Sequence, residues 1–285
     1  MPKINFTKIV ASGNDFAVVE TSNQKSFDKL RTLRRRTLSK VEVPVTRNLK
    51  ILAKNICDRK FGIGADGLLI LEKSKIADVK MRIFNPDGTE AKMCGNGAMC
   101  VALYSARNQT KIETKAGIIQ AKVSQDKAKI KMTEPKDIRL DLPIKIAKRN
   151  IKVNFINIGV PHAVIFVEGL DKINVVDIGR KIRFHKRFLP EGTNVDFVQI
   201  LDDNNIKIRT YERGVEDETL ACGTGTVAAA LLLATRYSLL ATHRVDVQTK
   251  SKETLKVYFD RVGVKFSNVW LEGKGKIVYK GEYYV

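Results

Sequence analysis

The sequence predicts an α+β fold assembled from two related halves, and three observations carry that expectation. At 285 residues the chain can supply two domains of about 100–200 residues each. Strand-like segments outnumber helical ones and mostly follow one another in hairpins, which argues against a doubly wound sheet. One series of residues also occurs twice. Phe84-Asn85 leads through Glu90 to Cys94-Gly95-Asn96-Gly97 and an apolar helical run. Tyr211-Glu212 leads through Glu218 to Cys222-Gly223-Thr224-Gly225 and another such run. The spacing from Glu to Cys is four residues in both. Further on, Thr114-Lys115 and Thr249-Lys250 each open a hairpin, and Asn14-Asp15-Phe16 has an echo in Asn194-Val195-Asp196-Phe197. So long a period excludes a solenoid and points to one α/β unit duplicated and diverged.

The elements follow from periodicity and breakers. Ile4–Val10, the turn Ala11-Ser12-Gly13-Asn14-Asp15 and Phe16–Val19 read as strand, turn, strand. Ser22 to Asn48 is polar and basic and predicts a helix with a loop. Leu49–Lys60 has helical spacing through Leu49, Leu52, Ala53 and Ile56, stopped by Gly62-Ile63-Gly64. Strands follow at Leu68–Leu71 and Val79–Phe84, with a turn at Asn85-Pro86-Asp87-Gly88. A buried helix is expected over Gly97–Ala106, then hairpin strands from Lys111 to Met132 broken at Ala116-Gly117 and Gln125-Asp126. Leu140-Asp141-Leu142-Pro143 reads as a linker. Strands are expected at Val153–Ile158, Ala163–Val167, Val195–Leu201 and Ile206–Tyr211, then the apolar helix Thr226–Tyr237. The last strands are expected at Val245–Thr249, Leu255–Phe259, Val264–Phe266, Val269–Leu271 and Ile277–Tyr279.

Composition narrows the function classes. Apolar residues make up 44% and charged residues 29% of the chain, an ordinary globular balance. The longest nearly uncharged apolar stretch, Gly225–Thr235, is well short of the roughly 20 residues of a membrane span. Met-Pro-Lys-Ile-Asn-Phe contains no secretory apolar core, so a soluble, cytoplasmic protein without membrane contact is expected. The net charge of +20 arises from 51 Lys and Arg against 31 Asp and Glu. One dense basic cluster holds Lys29, Arg31, Arg34, Arg35, Arg36 and Lys40; the remaining excess is scattered Lys with little aromatic interleaving. No RNA-recognition, zinc-finger or homeodomain signature is present, which leaves a basic nucleic-acid-binding protein as a distant alternative. Four cysteines in so long a chain do not make a disulfide framework. No Cys-x-x-Cys pair occurs and His162, His185 and His243 stand apart, so no metal site is expected. Gly62-Ile63-Gly64-Ala65-Asp66-Gly67 matches Gly-x-Gly-x-x-Gly, but a polar helical stretch precedes it where a dinucleotide fold needs a buried strand.

The paired Cys-Gly-x-Gly turns carry the chemistry. Glycines directly before a helix let a ligand approach the backbone, and the first helical N–H groups have no intrahelical acceptor. With the positive end of the helix dipole they suit a carboxylate. A cysteine at the same terminus has its thiolate stabilised, so its pKa is expected to fall toward neutral pH. One such turn is an ordinary helix start. Two in equivalent places of a repeat predict two thiols flanking one bound carboxylate across a cleft, an arrangement suited to removing a proton from one face of a carbon and returning one to the other.

With those residues in view the chain resembles the diaminopimelate epimerase family, the cofactor-independent two-cysteine amino-acid epimerases of lysine and cell-wall precursor biosynthesis. The resemblance runs from Gly13-Asn14-Asp15-Phe16 through Phe61–Gly67, Arg82–Gly88 and Met93–Gly97, then Pro161-His162 and Gly192-Thr193-Asn194, to Tyr211–Gly214 and Glu218–Gly225. It implies two pseudo-symmetric domains, each a mostly antiparallel or mixed sheet wrapped around a central helix. The halves would be residues 1–135 with 275–285, holding Asn14 and Cys94, and residues 136–274, holding Cys222. It implies that Cys94 and Cys222 form the acid–base pair and that no cofactor is needed. Gly95, Asn96, Gly223 and Thr224 would bind the α-carboxylate. Asn14, Asn85, Asn194, Glu212 and Arg213 would hold the rest of the substrate, and His162 and Glu212 would tune the thiols. A small amino-acid substrate is the expected partner, with a homodimer left open. A racemase of the same fold acting on another amino acid is the nearer alternative.

The sequence departs from the family pattern in places. Met99 stands where the family usually has Arg, Val160 where it often has Asn, and Gly67 where a Gln near the substrate falls. Val215-Glu216-Asp217 lengthens the Glu212–Cys222 spacing by one, and the stretch from about Gln24 to Asn48 is longer than usual. Cys57 and Cys100 read as structural.

Overall fold

The computed structural model describes residues 3–21, 48–146, 149–236 and 243–285. The basic cluster, the helix and loop expected before Asn48, and Tyr237 at the end of the second apolar helix lie outside the described residues. The chain divides into two compact units, Met1–Ile130 with Lys274–Val285 and Lys131–Gly273.

In the first unit, β1 (Lys3–Ala11) and β2 (Asn14–Glu20) form an antiparallel hairpin. Helix α1 (Leu49–Cys57) precedes β3 (Gly67–Glu72), which lies parallel to β2. Strand β4 (Val79–Phe84) returns antiparallel to β3, and the short β5 (Glu90–Ala91) folds back on β4. Helix α2 (Gly95–Ser105) follows, then β6 (Gln109–Thr114) parallel to β4, β7 (Gly117–Ser124) and β8 (Lys127–Lys131).

The second unit repeats this order. Strand β9 (Lys136–Ile146) pairs antiparallel with β10 (Arg149–Asn157), and β10 with β11 (Pro161–Phe166). Helix α3 (Val175–Arg183) precedes β12 (Asn194–Ile200), which lies parallel to β11. Strands β13 (Asn205–Glu212) and β14 (Asp217–Thr219), helix α4 (Gly223–Arg236), β15 (Arg244–Gln248), β16 (Thr254–Val262) and β17 (Lys265–Tyr284) complete it. The first part of β17 pairs with β16; from Gly275 onward it pairs with β1 of the first unit's own sheet. This is the expected α+β class with mixed sheets. In each unit the central helix is apolar all round, so it must be enclosed by sheet. Residues Asn96–Ala102 of α2 and Gly225–Ala234 of α4 are all buried. Among the described residues no helix is long and apolar enough to cross a membrane.

The duplication extends to register and to ion pairs. Phe16 stands opposite Gly67 as His162 stands opposite Asn194. Leu68 faces Phe84 as Val195 faces Tyr211, and Phe84 faces Glu90 as Tyr211 faces Glu218. Glu90 takes Arg82 at 2.8 Å and Lys115 at 2.7 Å; Glu218 takes Arg209 at 2.7 Å and Lys250 at 2.9 Å. Each trio ties the strand entering the Cys turn to the hairpin that follows the helix.

The Asn14–Asn194 echo is not an equivalence. Phe16 matches His162 in the registers, so Asn14 matches Val160 and Asn194 matches Gly67. Asn recurs at strand starts for local turn reasons, and ladder register, not string similarity, defines the equivalent positions.

Other expectations also change. Leu140-Asp141-Leu142-Pro143 is strand, not linker, with Pro143 opposite Lys152. Within β9, Asp137 and Asp141 adopt φ of 53° and 51° beside the two register shifts against β10, a conformation Asp tolerates. The three strands expected at 264–266, 269–271 and 277–279 form the single β17. Helix α1 ends at Cys57 because the Asp58 carboxylate accepts the N–H groups of Lys60 and Phe61 at 2.7 Å each and turns the chain. Helix α3 was not foreseen, although its Asn174 cap accepts from the Asp177 N–H at 3.1 Å.

Candidate active site

Each unit presents one Cys turn with the same local geometry. Cys94 caps α2: its Sγ accepts the Gly97 N–H at 3.4 Å and its carbonyl accepts the Ala98 N–H at 2.9 Å. Before α4, Cys222 Sγ accepts the Gly225 N–H at 3.4 Å and its carbonyl the Thr226 N–H at 2.9 Å. The N–H groups of Gly95 and Asn96, and of Gly223 and Thr224, therefore precede the first intrahelical bond, where helix geometry provides no acceptor.

Around Cys94 the structure assembles Asn14 and Asn96. The Asn96 amide donates to Asn14 Oδ1 at 2.6 Å, and the Asn14 amide donates to Asp66 Oδ2 at 3.1 Å. Asn96 Oδ1 is buried and has no hydrogen-bond partner. Asp66 is held by Arg59 at 2.7 Å and accepts the Asp15 N–H at 3.2 Å; Asp15 pairs with Arg59 at 2.9 Å and with the buried Lys8 at 2.6 Å. Those cations hold the Asp15 carboxyl down to about 2 against the opposing effect of burial. Asn85 is exposed in its turn, where its amide donates to Thr89 Oγ1 at 3.0 Å.

Around Cys222 the network is denser. His162, with no exposed surface, places Nδ1 2.7 Å from Asp196 Oδ2 and Nε2 3.0 Å from Thr224 Oγ1. Thr224 Oγ1 is in turn 3.5 Å from Cys222 Sγ. The Asn194 amide donates to the Pro161 carbonyl at 3.2 Å and lies 3.4 Å from His162 Nε2, while Asn194 Oδ1 accepts the Arg213 N–H at 2.8 Å. The Arg213 guanidinium donates to the Glu191 carbonyl at 3.2 Å.

The acidity of Cys222 reverses the expectation drawn from its helix terminus. Burial pushes its thiol well above the usual value, and the nearby Glu212 and Asp196 carboxylates add to that; the Thr224 and Gly225 hydrogen bonds only partly oppose them. Burial likewise pushes the Glu212 carboxyl up. The bulk thiols behave as buried groups: Cys57 is pushed up to about 11 and Cys100 well above its usual range, both by desolvation. No disulfide joins any of the four cysteines.

Two of the positions that depart from the family pattern, Met99 and Gly67, are accounted for locally. Met99 is fully buried, its sulfur 3.6 Å from Ser12 Oγ, where an Arg would be stranded in the core. A Cβ on Gly67 would stand 3.1 Å from both the Phe16 ring and the Phe84 carbonyl oxygen. Asp66, Asp196 and Thr210 are supporting groups whose role no motif in the sequence marks. The available signal was a charged residue inside an apolar strand, as in Val195-Asp196-Phe197-Val198.

Comparisons with known proteins show what the chain is similar to. Residues 6–138 and 154–269 match a family model described as diaminopimelate epimerase. A diaminopimelate epimerase of Aquifex aeolicus is 37% identical over 294 residues, covering 98% of this chain and 97% of its own length. One of Archaeoglobus fulgidus is 39% identical over 265 residues, covering 87% of each. Among solved structures, a Bacillus anthracis phenazine biosynthesis protein of the PhzF family has a TM-score of 0.70 at 16% identity, covering 100% of both chains. A probable proline racemase from Agrobacterium radiobacter K84 has a TM-score of 0.67 at 18% identity, covering 99% of this chain and 92% of that one. These two likenesses concern the fold.

Proposed function

This chain belongs to the diaminopimelate epimerase family, and from that premise we propose that it interconverts LL- and meso-2,6-diaminopimelate, a step of lysine biosynthesis, by a two-base thiol mechanism in the cytoplasm. One thiolate takes the α-proton: the Cα–H bond breaks, an S–H bond forms, and the electron pair spreads from Cα into the α-carboxylate. The other thiol delivers its proton to the opposite face of Cα and is left as thiolate. Cys94 and Cys222 are the two groups.

The observation that carries this reading is the matched pair of turns, each with a Cys Sγ 3.4 Å from a helix-start N–H. The early N–H groups of α2 and α4 offer fixed donors to a carboxylate as it gains charge, which lowers the barrier without reorganisation. That help is needed because a thiolate is a weak base for an α-amino carbanion. Asn14, Asn96, Asn194 and Arg213 hold the amino and carboxylate groups in the same proposal, and Asn85 approaches from its exposed turn.

The test is deuterium incorporation at Cα in heavy water. Wild-type enzyme is expected to label both LL- and meso-diaminopimelate, and Cys94→Ser and Cys222→Ser each to lose at least about a hundredfold in epimerisation while staying folded. Failure of the wild type to label diaminopimelate overturns the substrate. More than about a tenth of turnover surviving in either variant, a loss of only ~1.4 kcal/mol, overturns the two-base assignment.

A further inference from the structure

We infer that Asp196 is a positioning residue for Cys222: it holds His162 with the Nε2 lone pair open to Thr224, so that Cys222 exchanges its proton with His162 through the Thr224 hydroxyl. The inference rests on the proposed reaction only in that Cys222 must act as a base in one direction.

The duplication supplies the first argument. By ladder register His162, Asp196 and Thr210 occupy the places that Phe16, Leu69 and Ile83 occupy in the first unit. The contacts under the second glycine of each turn agree. Leu69 and Ile83 lie under Gly97; Asp196 and Thr210 lie under Gly225. An apolar trio fills this position in one copy of the fold, so packing does not require the polar trio in the other. A fully buried His–Asp pair is costly unless every polar atom is satisfied, and here each is met. Asp196 Oδ1 accepts the Thr210 hydroxyl at 2.7 Å and Oδ2 faces His162 Nδ1 at 2.7 Å.

Hydrogen-bond direction supplies the second argument. The Arg213 main-chain N–H can only donate, so the Asn194 atom it meets at 2.8 Å is the carbonyl oxygen, which turns the Asn194 NH2 toward His162 Nε2. A carboxylate on Nδ1 and an NH2 on Nε2 together select the Nδ1–H tautomer. Nε2 then accepts from the Thr224 hydroxyl, and the Thr224 oxygen is left to accept from Cys222 Sγ at 3.5 Å.

The proton shift balances along this line. The Cys222 S–H bond breaks as its proton passes to Thr224 Oγ1, while Thr224 gives its own proton to His162 Nε2. A thiolate faces an imidazolium that Asp196 neutralises, and no redox change occurs. Burial holds Cys222 protonated at rest, so a nearby proton acceptor is what allows it to become a base. The charged and titratable groups facing His162 are Asp196 from β12 and Glu212 from β13, with Cys222 ahead of α4.

The test reads the tautomer directly. The chain has three histidines, so the 15N signals of His162 are assigned with His185→Gln and His243→Gln variants. Substrate-free enzyme is expected to show a protonated Nδ1 and a pyridine-type Nε2. In Asp196→Asn the Thr210 hydroxyl keeps the side-chain oxygen, the NH2 turns to Nδ1, and the tautomer is expected to switch to Nε2–H with at least about a hundredfold loss of kcat and KM within about threefold. Independently of that variant's folding, Thr224→Ser is expected to turn over at least about tenfold faster than Thr224→Val. An Nε2–H tautomer in the wild type, an unchanged tautomer in Asp196→Asn, or equal turnover of the two Thr224 variants overturns the inference. If the wild type does not label diaminopimelate, the proposed substrate fails and the 15N signals still decide the tautomer.

Discussion

Asp196 reaches so close beneath Gly225 that a Cβ on residue 225 would stand 2.4 Å from its Oδ1, whereas at the equivalent Gly97 the nearest atom is Leu69 Cδ2 at 3.3 Å. The two contacts differ in how they can yield. The Asp196 carboxylate is held by His162 and Thr210, while a Leu methyl is the end of a flexible side chain. Gly225→Ala is therefore expected to destabilise by about 1–3 kcal/mol through overpacking, net of the roughly 1 kcal/mol that Ala gains over Gly in a helix. Gly97→Ala is expected to be nearly neutral. Urea melts of the two variants decide, and equal losses would show that the carboxylate is not held in place.

Glu90 links Arg82 and Lys115, and its carboxyl is lowered from 4.5 to about 2, chiefly by the Arg82 hydrogen bond. A depressed folded-state value stabilises above the unfolded-state value and is lost as pH falls through the folded one. The stabilisation by Glu90 is thus complete above about 4.5 and disappears toward about 2. Glu90→Gln is expected to lower stability at neutral pH and to flatten the stability–pH curve through that window. A variant curve parallel to wild type would contradict it.

Asp66 takes the Asn14 amide at 3.1 Å, and Asn14 in turn receives the Asn96 amide at 2.6 Å. With Asn14 as a substrate ligand, Asp66→Ala removes one hydrogen bond that orients it, worth about 1 kcal/mol. The expected result is a rise of roughly fivefold in KM for diaminopimelate with kcat little changed. A fall in kcat at constant KM would place Asp66 in the chemistry instead.

Thiol reactivity separates the four cysteines. Cys94 is half-buried, while Cys57, Cys100 and Cys222 are buried with thiols pushed up by desolvation. Only the thiolate alkylates, and access matters as much as acidity. Iodoacetamide at mildly alkaline pH is expected to modify Cys94 at least about tenfold faster than the other three, as read by peptide mass spectrometry. Equal rates at Cys57 or Cys100 would mean that those core positions open readily.

Much of the fold could be read from local pattern, and the misreadings have local causes. Alternation marked most strands because one face of each is buried, and the two apolar runs marked α2 and α4. Leu140–Pro143 misleads because Asp and Pro signal a break in sequence, while in space Asp141 sits at a bulge of β9 and Pro143 pairs in register with Lys152 of β10. Asn14 and Asn194 looked like copies because both stand at strand starts, yet the registers pair them with Val160 and Gly67.

The sequence by itself determined the duplication, the α+β class and the two Cys-Gly-x-Gly turns, because each depends on residues within one turn or one strand of each other. Only the tertiary structure decided what surrounds those turns. His162, Asp196, Thr210 and Thr224 come from three strands and a helix start, and the raised thiol of Cys222 follows from its own burial and from the Glu212 and Asp196 carboxylates. Desolvation and through-space charge depend on which distant segments fold against a group. A helix-start turn alone predicts a lowered thiol; the sheet around it raises it.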